Sequence, residues 1–235
     1  QNAAAVMIPF TFVFGVSAWL MLKSVPVKAN FAQQFDIFRS GHTWSMTSLY
    51  IMTFGAFSGL AATFPLLIKQ IYGGFEGAPD PLAWAFYGPL VGSAARVVAG
   101  PLSDKLGGAR VTHWAGLGML GATLWVTTLT SPTGLDSFPM FVAGMLTLFF
   151  FAGVGNASTF TQMPMLFEPR QAGGVIGFTA AIAAYGPFLF GMLFAASFGA
   201  FKSATPVFYG LAAFFAFNVV LNWWMYARRG AANPC

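Results

Sequence analysis

Seven runs of about 20 mostly apolar residues, separated by short polar segments, constrain this chain more than any other feature of its sequence. A helix of about 20 such residues crosses the hydrocarbon core of a bilayer. The intervening segments are rich in the Pro, Gly and polar residues that form loops. The sequence therefore predicts an all-α integral membrane fold with about seven transmembrane helices. We place them at 6–22, 44–68, 82–103, 111–129, 138–166, 173–198 and 206–226.

Charged residues are too few to solvate a soluble globule of 235 residues. They make up 7% of the chain, whereas a typical soluble domain carries about 25%. The basic residues are scattered singly and form no stripe, so the net charge of +5 does not indicate a nucleic-acid partner. The one cysteine, Cys235, excludes a disulfide framework and a cysteine-based metal cluster. We expect no cofactor and no metal.

The basic residues outside the spans predict the orientation of the helices, because cytoplasmic loops are enriched in Lys and Arg. If the loop 23–41 is cytoplasmic, that side of the membrane carries eight basic residues and the other side carries two, Lys69 and Lys202. The C-terminus is then cytoplasmic, in the inner (plasma) membrane of the cell. The eight residues are Lys23, Lys28, Arg39, Lys105, Arg110, Arg170, Arg228 and Arg229.

The segment 24–43 is the longest polar stretch and is predicted to link two helical bundles. Under this interpretation 1–23 is the last helix of an N-terminal half that the sequence lacks, 44–228 is a C-terminal six-helix bundle, and 229–235 is a cytoplasmic tail. Transporters built from two such halves enclose their substrate site near the midplane of the bilayer. The N-terminal half is therefore an expected partner, together with the lipid bilayer.

Arg96 is the one charged residue inside a predicted span, since all six acidic residues fall in loops or at span ends. Burying an ionisable side chain in the hydrocarbon core costs free energy, so such a residue inside a span is interpreted as a functional residue. Arg96 therefore needs an anionic ligand or a partner outside this chain. Gly92 and Gly100, one turn to either side, leave its helix face free for a ligand or for a closely packed helix. A structural alternative stays open, in which Arg96 extends to the cytoplasmic interface or reaches Asp104.

Two other spans contain polar or aromatic residues that could have either a structural role or a role in transport. Tyr50 and Phe54 are four residues apart and share a helix face, where they either line a site for a small anion or pack against another helix. Asn156 and Gln162 need hydrogen-bond partners at membrane depth, so they form either a polar seam between helices or part of a permeation path.

The segment 173–187 begins with glycines at helical spacing and ends at Pro187, a pattern typical of close helix packing followed by a kink. The loop 100–110 reads Gly-Pro-Leu-Ser-Asp-Lys-Leu-Gly-Gly-Ala-Arg. It resembles the Gly-x-Leu-x-Asp-Arg/Lys-x-Gly-x-Arg motif of the major facilitator superfamily, with one extra residue before the last Arg. The resemblance implies a latch that breaks as the two halves rock. The motif residues are Gly100, Asp104, Lys105, Gly107 and Arg110.

Nearly the whole chain is similar to the C-terminal half of the NarK-type nitrate/nitrite porters, a family within that superfamily. The resemblance is most specific at 44–64, 88–110, 153–167 and 172–187. It implies that Arg96 binds the substrate and that Tyr50 and Phe54 are the aromatic residues of the site.

The segment 173–187 resembles the second glycine-rich signature of this family, which begins here at Gly173. Within it, Gly177 falls at a substrate-site glycine. A serine that is frequent three residues later is Ala180 in this chain, and the hydroxyl nearest to that position belongs to Thr179.

The predicted function is nitrate/nitrite transport by alternating access in nitrate assimilation, with no enzymatic activity. The planar Arg fork suits a planar oxyanion such as nitrate or nitrite. Exchange is favoured because no acidic residue lies inside a span to couple protons, although proton symport, or transport of another small organic anion, stays an alternative. A retinal protein is excluded because it would need a Lys inside a span, and none of the predicted spans contains one. A haem protein is disfavoured because His42 and His113 lie at loop edges.

Overall fold

The computed structural model describes residues 2–23, 31–231 and 235, and the chain divides into two compact units, 1–33 and 34–235. In the first unit, helix α1 spans Asn2–Met21 and exposes apolar side chains such as Phe12 and Trp19. An apolar helix of this kind is typical of a membrane span. The predicted linker residues 24–30 lie outside the described residues.

The rest of the described chain is also helical and contains no strand. Five of its segments are long and apolar enough to cross a membrane: Gly41–Tyr72, Pro81–Leu106, Leu135–Leu166, Pro169–Phe201 and Thr205–Ala227. Each of them coincides with a predicted span, which confirms the all-α membrane fold. The helices after α1 are α2 (Gly41–Tyr50), α3 (Ala56–Tyr72), α4 (Pro81–Trp84), α5 (Tyr87–Leu106), α6 (Gly108–Thr127), α7 (Phe138–Gln162), α8 (Pro169–Ala183), α9 (Gly186–Phe201) and α10 (Thr205–Asn222).

Five shorter helical segments connect or extend these helices. Phe31–Arg39, Leu135–Ser137 and Met163–Leu166 are 3-10 helices. Ile51–Gly55 and Trp223–Ala227 are π-helical and continue α2 and α10 without a break.

Helix α6 occupies the predicted span 111–129 but is not among the five segments that are apolar enough to cross a membrane. Polar side chains near its start, including Arg110, Thr112 and His113, lower its mean hydropathy. The helix packs between α7 and α10 and buries Met119 completely. More than half of the α6 residues are buried, while Trp114 stays exposed.

Polar caps and prolines set several helix ends. The Ser40 side chain accepts a hydrogen bond from the His42 backbone N–H at 3.3 Å, so α2 begins at Gly41, three residues before the predicted start. Pro187 lies in the first turn of α9, where a proline needs no hydrogen-bond partner. The predicted span 173–198 therefore lies in one membrane-crossing segment that is interrupted between Ala183 and Gly186, just before Pro187, and so consists of α8 and α9.

Glycines allow two pairs of helices to approach at backbone distance. A Cβ atom on Gly153 of α7 would lie 2.8 Å from the carbonyl carbon of Gly92 on α5. A Cβ atom on Gly186 of α9 would lie 2.9 Å from the carbonyl carbon of Gly55, just before α3. Both distances are shorter than carbon–carbon contact, so a larger residue would force these helices apart.

The 3-10 helix before α2 is held against the start of α8 by charge and by aromatic packing. Asp36 pairs with Arg170, which also donates from Nε to Glu168 at 3.1 Å. The hydrogen bond from Arg170 holds the pKa of the Asp36 carboxyl below its usual value. Phe38 meets the Phe178 ring edge-on, with centroids 4.8 Å apart. These contacts connect the predicted linker region to α8.

Candidate functional site

Tyr50 and Phe54 stack on each other at the π-helical segment Ile51–Gly55. Their ring centroids are 5.3 Å apart and their planes differ by 13°. Phe160 of α7 meets Tyr50 edge-on at 5.2 Å. Segments of π-helix are rare and occur frequently at functional sites. The spacing of the two rings predicted their shared face, but nothing in the sequence signalled the π-helical turn between them.

A buried hydrogen bond joins this aromatic pair to α7. The Tyr50 hydroxyl donates to Asn156 Oδ1 at 3.4 Å, and both side chains are almost fully buried. The amide nitrogen of Asn156 has no partner among the described residues. Thr53 and Thr159 approach to 3.4 Å across the same helix pair. An unpaired buried donor beside a phenol leaves hydrogen-bonding capacity for a water molecule or an anion.

Arg96 carries a positive charge that no acidic residue of the described chain neutralises. Its side chain is half-buried on α5. Within the described part of the chain Arg96 forms no ion pair and no hydrogen bond. The ion pairs found there join Arg170 to Asp36 and Glu168. A half-buried guanidinium without a carboxylate attracts an anion.

Gly92 and Gly100 have different surroundings on either side of Arg96. A Cβ atom on Gly92 would lie 2.9 Å from the Phe149 carbonyl oxygen of α7 and would also strike the Phe57 ring. A Cβ atom on Gly100 would have no neighbour within 4 Å. The side of Gly92 is therefore closed by packed helices, and the side of Gly100 is open.

The predicted site residues of α8 lie on two sides of that helix. Thr179 is buried, with its hydroxyl oxygen 3.2 Å from that of Thr47, which precedes Tyr50 by three residues on α2. Gly177 and Gly173 are exposed, and a Cβ atom on either would meet nothing within 4 Å. The structure thus brings Thr179 to the helix that carries Tyr50, and leaves both glycines on an uncovered face.

The motif residues Asp104, Lys105, Gly107 and Arg110 gather at the turn between α5 and α6. Gly107 has a φ of 92°, a conformation that favours glycine. The Asp104 carboxylate accepts a hydrogen bond from the Thr161 hydroxyl of α7 at 3.3 Å and forms no ion pair with the described residues. Asp104 therefore connects the loop to α7 through a neutral partner.

Other polar residues of α7 form a seam with neighbouring helices. The Gln162 amide nitrogen donates to Asn222 Oδ1 of α10 at 3.2 Å, and the amide nitrogen of Asn222 donates to the Ala109 carbonyl at 2.8 Å. The hydroxyls of Thr112 and Ser158 approach to 2.8 Å. The seam includes Asn222, which the sequence analysis missed although an Asn inside an apolar span signals such a role.

Comparison with known proteins places this arrangement in a family. The chain is 63% identical over 235 residues to the probable nitrate/nitrite antiporter NarK2 of Thermus thermophilus, an alignment that covers all of this chain and 53% of the relative. The chain belongs to the NarK-type porters. No family model matches it.

More distant relatives agree with that assignment. The chain is 31% identical over 254 residues to the nitrate/nitrite transporter NarU of Escherichia coli (strain K12), covering 97% of this chain and 53% of the relative. It is 30% identical over 193 residues to the nitrite extrusion protein of Bacillus subtilis (strain 168), covering 81% and 46%. As part of a NarK-type porter it is a multi-pass membrane protein. The chain spans about half the length of the curated relatives it matches.

Proposed function

We propose that the porter to which this chain belongs transports nitrate and nitrite by alternating access, exchanging one anion for the other. The observation that carries the proposal is Arg96, a half-buried cation on α5 with no acidic partner among the described residues. The names of the relatives at 63% and 31% identity support the same anions. Their names as transporters support a function in transport rather than in catalysis.

The side chains around Arg96 match the chemistry of a small planar oxyanion. The guanidinium offers two parallel N–H donors to two oxygen atoms of nitrate or nitrite. The unpaired Asn156 amide nitrogen, beside the Tyr50 hydroxyl, adds a donor, and the Phe54 ring stacked on Tyr50 offers a flat apolar surface to the anion. Gly177, on the uncovered face of α8, borders the proposed site, and Thr179 holds α8 against the helix of Tyr50 through its contact with Thr47. A second bundle, corresponding to the half of the relatives that this chain does not span, closes the site in our proposal.

The proposed orientation places the C-terminus in the cytoplasm, with the porter in the inner membrane. Four basic residues meet around one cavity at the end of the bundle, namely Lys105, Arg110, Arg228 and Arg229. Such a concentration of positive charge is typical of the cytoplasmic side. We also propose that 24–43 is the linker between the two bundles and that 44–228 forms the second bundle.

Exchange is tested with the purified full-length transporter in proteoliposomes. We expect uptake of isotope-labelled nitrate to rise several-fold when the lumen contains nitrite, and to be unchanged when the proton gradient is collapsed. Uptake that needs an inward proton gradient and ignores lumenal nitrite would establish symport instead. Uptake that is blocked by small carboxylates but not by nitrite would assign a different substrate.

Replacing Asp104 with asparagine tests the proposed latch. The substitution keeps a hydrogen-bond acceptor for Thr161 but removes the charge at the α5–α6 turn. We expect nitrate exchange to slow by about tenfold while equilibrium nitrate binding changes by less than about twofold, because Asp104 lies at the end of α5 and away from Arg96. Asp136→Asn, in the 3-10 helix before α7, serves as the matched control. Weakened binding with a normal rate for the bound anion would contradict the latch.

A further inference from the structure

A groove between the start of α6 and the end of α10 contains two arginines that no protein group neutralises. Its volume is about 480 Å³. Both Arg110 and Arg229 are exposed, and neither forms a hydrogen bond or an ion pair within the described ranges. The groove is lined by Arg110, His113, Trp114, Trp223, Ala227 and Arg229.

The groove has no acidic lining residue among the described ones. Asp104 lines the adjoining cavity together with these arginines, and its carboxylate accepts a hydrogen bond from Thr161. Lys105 and Arg228 also line that adjoining cavity and add positive charge. Several basic side chains therefore lie close together around the two cavities, and no carboxylate lines the groove itself. This concentration of positive charge favours the binding of an anionic ligand by Arg110 and Arg229.

Tryptophan rings surround the same groove on the outer surface of the bundle. Trp114 is 70% exposed and Trp223 is 45% exposed. The Arg228 guanidinium lies 4.3 Å from the centroid of the Trp224 ring, so that arginine is already engaged. Exposed tryptophans of a membrane protein concentrate at the level of the lipid headgroups. The groove therefore combines unpaired guanidinium groups with exposed tryptophan rings.

We propose that this groove binds the headgroup of an anionic phospholipid. The phosphate lies between Arg110 and Arg229, whose guanidinium forks match phosphate oxygens. The rings of Trp114 and Trp223 pack along the glycerol backbone and the upper acyl chains. A basic pocket between transmembrane helices on the cytoplasmic side is a known form of lipid headgroup site. The proposal does not depend on which anion the porter carries.

The test titrates lipid onto the purified full-length transporter in detergent and counts bound lipids by native mass spectrometry. The wild type is expected to bind phosphatidylglycerol more tightly than phosphatidylcholine. Replacing both arginines, as Arg110→Gln with Arg229→Gln, is expected to weaken phosphatidylglycerol binding by about thirtyfold and to leave phosphatidylcholine binding unchanged. The matched control, Lys69→Gln with Lys202→Gln, removes the same charge at the other predicted membrane face and is expected to have no effect.

A charge-conserving variant separates the site from a general effect on folding. Arg110→Lys with Arg229→Lys keeps the positive charge without the planar fork, so we expect an intermediate affinity for phosphatidylglycerol. Inorganic phosphate at millimolar concentration is expected not to displace the lipid, because it lacks the contacts with Trp114 and Trp223. Full displacement by phosphate would assign the groove to a soluble anion. Equal binding of both lipids by the wild type, or an equal loss in the lysine control, would overturn the proposal.

Discussion

Nitrate binding is expected to be lost when Arg96 is replaced by alanine, and to be strongly weakened when it is replaced by lysine. Removing one member of a charge-assisted pair in a desolvated site costs about 2–5 kcal/mol, or roughly thirtyfold to several-thousandfold in affinity. Lysine keeps the charge but offers a point donor instead of the fork that matches two oxygen atoms. Equilibrium binding of labelled nitrate to the full-length transporter measures both effects.

Arg39→Ala is the matched control for this experiment, because Arg39 is exposed at the end of the 3-10 helix before α2. It removes an arginine of the same chain without touching the Tyr50 and Phe54 rings, so nitrate affinity should stay within about twofold of wild type. The thermal midpoint of each variant shows whether the protein has folded. If folded Arg96→Ala bound nitrate within about threefold of wild type, Arg96 would be structural and the anion site would lie elsewhere.

The spans were well predicted from the sequence because a helix that crosses a membrane needs a long run of apolar residues, which is easy to recognise. Long apolar runs and polar loops placed the observed segment Gly41–Tyr72 within a few residues of its ends. The predicted span begins three residues too late because Gly41, His42 and Thr43 are not apolar. In the structure these residues are helical, since Ser40 caps the helix before them. The shared helix face of Tyr50 and Phe54 was also predictable from their spacing, whereas the stacking of their rings was not part of the prediction.

Contacts between helices distant in the chain were not predictable from this one sequence. A hydrogen bond between Tyr50 and Asn156 joins residues 106 positions apart, and no local pattern specifies it. The π-helical turn beside Tyr50 depends on such tertiary contacts rather than on propensity. For the same reason the glycines that flank Arg96 looked equivalent in sequence, whereas Gly92 is packed against α7 and Gly100 is open.

Gly153→Val is expected to destabilise the transporter by about 3 kcal/mol, near the upper end for overpacking. The added side chain would point at the backbone of Gly92, which cannot rotate away as a flexible side chain can. The helices α5 and α7 make the most extensive helix–helix contact in the described chain, so they must separate or tilt to admit it. Unfolding of the purified full-length transporter in a denaturing detergent measures the loss.

Gly121→Val is the matched control, because it makes the same substitution in a transmembrane helix where nothing lies within 4 Å of the new Cβ atom. Any effect of valine on the stability of the helix itself is then common to both variants. The difference between their free energies of unfolding therefore measures the clash with Gly92. Because Gly92 lies one turn before Arg96 on α5, a shift of that helix also moves the guanidinium relative to Tyr50. Gly153→Val should therefore weaken nitrate binding as well as stability, whereas Gly121→Val should change neither. Equal stability of the two variants would show that α5 and α7 do not meet at this glycine pair.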